Sequence, residues 1–242
     1  MPIKKAVVLL SGGLDSAVTL YTARAQGYAC HCLAFDYGQR HSRELVAARR
    51  IARITRCPLE VLRIALPWGG SALLDKKIKL PGSRPRPQAI PATYVPGRNI
   101  IFLSFAVSYA EAIGAGAVFI GAHTEDYSGY PDCRPEFYAA FSKAVLAGTK
   151  AGARHRQIKI RTPLINKGKA EIIRLGAKLG VPFSLTWSCY AGGKKPCGKC
   201  DSCYFRQKGF QEAKIGDGSR HKAKVSPGTV YSRVENRPQV KK

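Results

Sequence analysis

The 242-residue sequence predicts an α/β protein: an open parallel five-stranded sheet with helices on both faces, carrying a small four-cysteine zinc knuckle near its C-terminal end. Three observations carry that expectation. Short runs rich in Val, Leu and Ile alternate with stretches whose apolar residues recur at helical spacing. A glycine pair flanked by serines, Ser11-Gly12-Gly13-Leu14-Asp15-Ser16, joins the first run to the first helical stretch. Cys189, Cys197, Cys200 and Cys203 stand in the pattern C-x7-C-x2-C-x2-C.

Residues 6–10 (AVVLL) are too few for a helix and read as a buried strand. Residues 17–23 have helical spacing and stop before Gly27. The glycine pair therefore occupies a strand-to-helix turn, where backbone N–H groups and a helix N-terminus suit an anion and the hydroxyls of Ser11 and Ser16 add donors. The stretch lacks the Gly-Lys-Ser/Thr ending of a Walker A loop and the spacing of a dinucleotide fingerprint. A tight turn needing only flexible residues is the plainer alternative.

Residues 28–35 form the second expected strand, with Cys30 and Cys32 as small core-facing side chains. Asp36, Gln39 and Arg40 follow at the C-terminal end of that strand, where open parallel sheets bind ligands. A helix over 43–54 and a strand over 59–66 continue the alternation. Residues 67–96 hold Gly-Gly, several basic residues and repeated prolines, and read as a cover over the site or as plain disorder. Arg98 sits at the start of an apolar helix over 100–113, placed to grip a phosphate, with Asn99 as its cap. A fourth strand over 117–122 leads into a polar loop, 123–134, whose Asp126, Tyr127, Tyr130, Asp132 and Arg134 suit stacking and hydrogen bonding to a flat polar heterocycle. A helix over 136–147 and a fifth short strand over 158–160 come next. Lys169 opens a helix that ends at Gly180, and a lysine in a first turn opposes the helix dipole unless an anion lies beside it.

Four thiols at short spacing with intervening glycines suit tetrahedral Zn²⁺ in a closed structural site, with an iron–sulfur cluster as the rival. Cys57 and Cys133 stand apart as single thiols. After a closing helix over 204–213, the composition from residue 216 turns to Gly, Ser, Pro, Lys and Arg and reads as a flexible basic tail. The division is thus 1–185 nucleotide-binding domain, 186–215 knuckle and closing helix, 216–242 tail.

With 45% hydrophobic residues the chain can bury a core, which argues against global disorder. The N-terminus leads into only five apolar residues, too few for a secretory signal, and the apolar stretch 100–122 is broken by Glu111 and Gly-Ala-Gly. A soluble, cytoplasmic protein without a membrane partner is expected. Forty Lys and Arg against fifteen Asp and Glu give a formal charge of +25. That field favours small anions such as ATP and polyanions such as nucleic acid, though a general solubility adaptation accounts for it as well.

SGGLDS after a first strand resembles the PP-loop of the ATP pyrophosphatase superfamily, whose fold is adenine nucleotide alpha hydrolase-like. SGGLDS, FDYGQRH (35–41), VPGRNIIFLS (95–104), DYSGYPDCRPEF (126–137), KAEI (169–172) and TWSCY…PCGKCDSC (186–203) occur in that order, and the set resembles the 7-cyano-7-deazaguanine synthase family. The resemblance covers residues 4 to about 213. It implies an ATP-dependent ligase that turns 7-carboxy-7-deazaguanine and ammonia into the 7-cyano base, by adenylation, amide formation and dehydration, releasing AMP and pyrophosphate. It implies phosphate binding by Leu10, Ser11, Gly12, Gly13, Leu14, Asp15 and Ser16, with Mg²⁺. Asp15, Arg98 and Lys169 would be the catalytic residues, with Asp15 orienting either the loop or the metal. Asp36, Gln39, Arg40, Asp126, Tyr127, Tyr130, Asp132 and Arg134 would recognise the base, the four cysteines would hold zinc, and the chain would form a homodimer. Two features depart from the family: the basic extension to Lys242 and the high charge. They keep open a PP-loop enzyme acting directly on tRNA, or a zinc-knuckle nucleic-acid-binding protein.

Overall fold

The computed structural model describes residues 3–40, 42–75, 77–80, 90–123 and 129–218. Asp126 and Tyr127, three of the six prolines of 67–96, and nearly all of the basic tail lie outside these described residues. The strands are β1 Lys4–Leu9, β2 Tyr28–Asp36, β3 Leu59–Arg63, β4 Ala117–Phe119 and β5 Lys159–Arg161. The helices are α1 Leu14–Ala25, α2 Arg43–Thr55, α3 Arg98–Ile113, α4 Pro135–Gly148, the single turn α5 Lys150–Ala153, α6 Lys169–Lys178 and α7 Asp201–Ala213. No helix among the described residues is long and apolar enough to cross a membrane.

All five strands run parallel in the order β3-β2-β1-β4-β5. The chain winds outward from β1 to β3, then returns through α3 to place β4 on the other side of β1. That reversal leaves a crevice beyond the C-terminal ends of β1 and β4, the usual ligand position in such sheets. β4 is shorter than the apolar run 117–122, and Gly121 beyond its end packs closely against α1: a Cβ there would lie 2.8 Å from the Thr19 hydroxyl and 3.1 Å from the Asp15 carbonyl.

Side chains alternate across the sheet, as the two-residue period requires. Ala6, Val8, Cys32, Ala34 and Phe119 face α1, α2, α6 and α7; Val7, Leu9, Leu33, Phe35 and Val118 face α3 and α4. On the second side the Phe35 and Phe102 rings stack with centroids 3.9 Å apart, fixing the first turns of α3 over the end of β2. On the first side Leu20, Ile51, Ile172 and Ile173 are wholly buried, so truncating one to alanine should cost about 2–5 kcal/mol. α6 approaches closely at Gly176, where a Cβ would meet the Phe183 ring at 2.7 Å and Val18 at 2.8 Å. Residues at the C-terminal rim are thereby held on a rigid frame.

Candidate active site

The rim of β1 runs straight into the glycine turn. Gly12 has φ +90, which favours glycine, and a Cβ there would collide with the Glu44 carbonyl and stand 2.6 Å from the Ala48 amide. The first turn of α2 is thus pressed against the loop. No side chain caps α1, whose N-terminal residue Gly13 is extended, so the first amides of that helix remain to meet an anion. The two serines tighten the loop: Ser16 Oγ donates to the Gly13 carbonyl (3.0 Å) and accepts from the Gly12 amide (3.2 Å), and Ser11 Oγ accepts from the Gly13 amide (3.2 Å).

Asp15, in the first turn of α1, binds Lys169 from the first turn of α6. Lys169 Nζ donates to both carboxylate oxygens, at 2.8 and 3.0 Å, and lies 2.9 Å from His123 Nε2. His123 Nε2 is also 3.6 Å from Asp15. Burial would push the Asp15 carboxyl up, but the charges on Lys169 and His123 hold it well below the usual carboxylate range. The anion that a first-turn lysine calls for is therefore Asp15 itself. Gly209 of α7 makes room for this: a Cβ there would collide with the Lys169 stem and stand 2.9 Å from Ile173.

The cavity outside β1 and β4, about 250 Å³, is lined by Ser11, Gly13, Leu14, Asp15, Ser16, Glu44 and Arg98 on its polar side. Tyr37, Phe102, Tyr130, Trp187 and Tyr190 contribute aromatic walls. Asp15 reaches the cavity, whereas Lys169 and His123 stand behind it and act through it. Arg98, in α3, lines the cavity and donates to the Tyr37 hydroxyl at 3.5 Å.

The residues expected to read a base are divided by the structure. Tyr130 and Gln39 line the cavity. Gln39 spends its amide on its own loop, accepting from the Tyr37 amide (2.8 Å) and donating to the Phe35 carbonyl (3.2 Å). Arg40 donates to the Asp75 and Ile78 carbonyls, at 3.3 and 2.9 Å, and so pins the segment after β3. Asp36 faces Arg63 at 3.9 Å, outside the cavity lining. Asp132 accepts from the Asn99 amide at 2.9 Å, so the cap of α3 comes from a distant segment rather than from Asn99, which lies inside the helix. Arg134 is exposed at the N-terminus of α4.

The four cysteine sulfurs lie within 4.8 Å of one another. No disulfide joins them. Hydrogen bonds from the Cys200 and Cys203 thiols, and from the Cys197 and Ala191 amides, push the Cys189 thiol strongly down. The knuckle is tied to the loop: the Trp187 amide donates to the Gly12 carbonyl (3.0 Å) and the Trp187 indole donates to the Cys189 carbonyl (2.8 Å). Arg206, only 2% exposed, reinforces this strip from α7. It donates to Thr186 Oγ1 (2.8 Å), Ser188 Oγ (3.1 Å) and the Phe183 carbonyl (3.0 Å), and makes a bidentate pair with Asp217 at 2.7 and 2.9 Å. Asp217, at the start of the expected tail, thus belongs to the folded body.

Sequence reasoning passed over Glu44, Phe102, His123, Arg206 and the pair flanking Cys189. Trp187 and Tyr190 had a visible signal, since they stand beside Cys189 in the four-cysteine pattern. The others depend on contacts between distant segments.

The parallel sheet, its reversal at β1 and β4, and the serine–glycine loop at that point define a PP-loop α/β protein. Residues 5–214 match the family model described as "Queuosine biosynthesis protein QueC". The chain is 53% identical over 215 residues to the 7-cyano-7-deazaguanine synthase of Acetivibrio thermocellus, covering 89% of this chain and 96% of that one. It is 51% identical over 226 residues to the protein of the same name from Methylococcus capsulatus, covering 91% and 100%. The chain belongs to the QueC family.

Proposed function

We propose that this chain is a carbon–nitrogen ligase that uses ATP to convert 7-carboxy-7-deazaguanine and ammonia into 7-cyano-7-deazaguanine. The observation that carries this reading is one cavity holding both an uncapped helix N-terminus with Arg98 and a set of aromatic walls. The first half suits a triphosphate, and the second suits a flat heterocycle. The relatives' name, 7-cyano-7-deazaguanine synthase, supports the same product.

The chemistry follows from the substrate. A carboxylate oxygen is a poor leaving group, so it must first attack the α-phosphate of ATP and expel pyrophosphate. Ammonia then displaces AMP to give the amide. A second adenylation, on the amide oxygen, lets that oxygen depart as AMP while the nitrogen forms the nitrile. The loop from Leu10 to Ser16 would hold the phosphates, with the α1 amides directed at the charge that moves onto pyrophosphate. Arg98 would neutralise phosphate oxygens from the opposite wall. Lys169 and His123 would fix the Asp15 carboxylate, which lines the cavity and would meet a magnesium ion carried by the nucleotide. Tyr130 and the aromatic walls would orient the base. Gln39, Arg40 and Asp132 would serve the site by holding its loops, Asp36 and Arg134 stand outside the cavity lining, and Asp126 and Tyr127 remain candidates for the base itself.

We assign zinc to the four cysteines. In a tetrahedral thiolate cage the sulfurs stand about 3.8 Å apart, which the observed spread accommodates. An iron–sulfur cluster spreads its cysteines wider, because cluster atoms stand between them. With four sulfur ligands no coordination position is left for substrate, and the ion would brace Trp187 against the loop. Cytoplasmic location and assembly as a homodimer complete the reading.

The test is incubation of the purified protein with ATP, Mg²⁺, ammonium and 7-carboxy-7-deazaguanine, followed by mass spectrometry. Nitrile and AMP should appear together and be lost in Asp15→Ala. AMP formed only when tRNA is present, without nitrile, would reject the reading.

A further inference from the structure

We infer that Glu44 is the ammonium-binding site of this cavity and takes the proton that frees the nitrogen for attack. The inference rests on the ligase reading above. Among the described residues lining the cavity, two carry carboxylates, Asp15 and Glu44. The Asp15 charge is engaged by Lys169 at 2.8 Å. Glu44 enters from the first turn of α2 and makes no ion pair or side-chain hydrogen bond among the described residues.

A carboxylate is an unfavourable wall for a cavity that admits ATP and a second carboxylate, since like charges repel at short range. The ligase has one cationic substrate, ammonium, and Glu44 offers it the one carboxylate in the lining that Lys169 does not occupy. The position is also suitable. The α2 first turn abuts Gly12 so tightly that a Cβ could not be inserted, which fixes Glu44 beside the loop that would hold the α-phosphate. The groups facing it are Arg98 from α3, Tyr37 after β2 and Cys189 of the knuckle. Burial disfavours a lone charge on the Glu44 carboxyl, with Arg98 opposing that effect, so a cation entering the cavity finds a partner there.

The step balances as follows. Ammonium, protonated in water at neutral pH, gives one proton to the Glu44 carboxylate. The freed nitrogen pair forms the C–N bond, the bond from carbon to the AMP oxygen breaks with its electron pair leaving on AMP, and the nitrogen loses a second proton to solvent. The product is the amide.

The test compares wild type with Glu44→Gln, which keeps the shape and removes the charge, using two nucleophiles. Hydroxylamine is largely neutral at pH 7 and needs no proton removed before attack; with the acyl adenylate it gives a hydroxamate. We expect kcat/KM for ammonium to fall about 100-fold in Glu44→Gln while hydroxamate formation changes less than about 3-fold. Equal losses with both nucleophiles would place Glu44 in adenylation or folding and overturn the inference, as would an unchanged kcat/KM for ammonium. If wild type makes neither amide, nitrile nor hydroxamate from the acid, the ligase reading fails instead.

Discussion

The Asp15–Lys169 contact gives the sharpest energetic prediction. Its side chains are 28% and 11% exposed, between a surface pair worth about 0–1 kcal/mol and a buried one whose breakage costs about 3–5 kcal/mol. Two bonds at 2.8 and 3.0 Å place the expected coupling at about 2 kcal/mol. Urea unfolding at pH 7 of wild type, Asp15→Asn, Lys169→Met and the double variant measures it. The double variant should lose about 2 kcal/mol less than the sum of the singles. The Asp15 carboxyl is depressed below its ordinary 3.8, so its contribution is complete above that pH and is lost only as acid carries the protein below it. The coupling should therefore be the same at pH 5 as at pH 7. A coupling under about 0.5 kcal/mol at pH 7 would refute the account of this contact.

Other expectations are equally direct. Gly12→Ala forces a side chain into the α2 backbone at positive φ and should cost about 3 kcal/mol or more in denaturant unfolding, with loss of ATP binding. If the four cysteines hold zinc as proposed, chelation should lower both the melting temperature and ATP affinity, and added Zn²⁺ should restore them, because Trp187 links the knuckle to Gly12. The fold raises the Glu44 carboxyl from 4.5 to about 7, so it favours the protonated form and disfavours the charged one as pH climbs through that window. Glu44→Gln should accordingly be more stable than wild type at pH 8 by up to about 3 kcal/mol and equal to it near pH 4, while being less active. Arg98→Ala should reduce kcat/KM about 100-fold, whereas Arg134→Ala, exposed and outside the cavity lining, should change it only a few-fold.

Much of this architecture was legible in the sequence for identifiable reasons. Strand and helix follow local periodicity, so residues 6–10 and 28–35 announced β1 and β2, and Gly27 and Gly114 marked helix ends. The loop at Ser11–Ser16 and the four cysteines were legible because each is a contiguous pattern. What escaped detection is whatever long-range packing decides. Asp132 looked like a ligand for a base, yet it caps α3 from 33 residues away. Gln39 and Arg40 looked like free polar groups beside a strand end, yet their bonds are spent on the Phe35, Asp75 and Ile78 carbonyls. His123 and Glu44 carry no local signature; they matter because the fold sets one against Lys169 and the other into the cavity. Arg206 is an ordinary helix residue in the sequence and a wholly buried anchor in the fold.

In the proposed ligase reaction both carboxylate oxygens of the substrate would leave as AMP oxygens, one for each adenylation. The most direct measurement starts from 7-carboxy-7-deazaguanine labelled with ¹⁸O in both positions and follows the label by mass spectrometry. Oxygen-free nitrile should form, with one ¹⁸O in each AMP and none in pyrophosphate. Label appearing in inorganic phosphate, with ADP as the nucleotide product, would mean activation at the γ-phosphate and would contradict it.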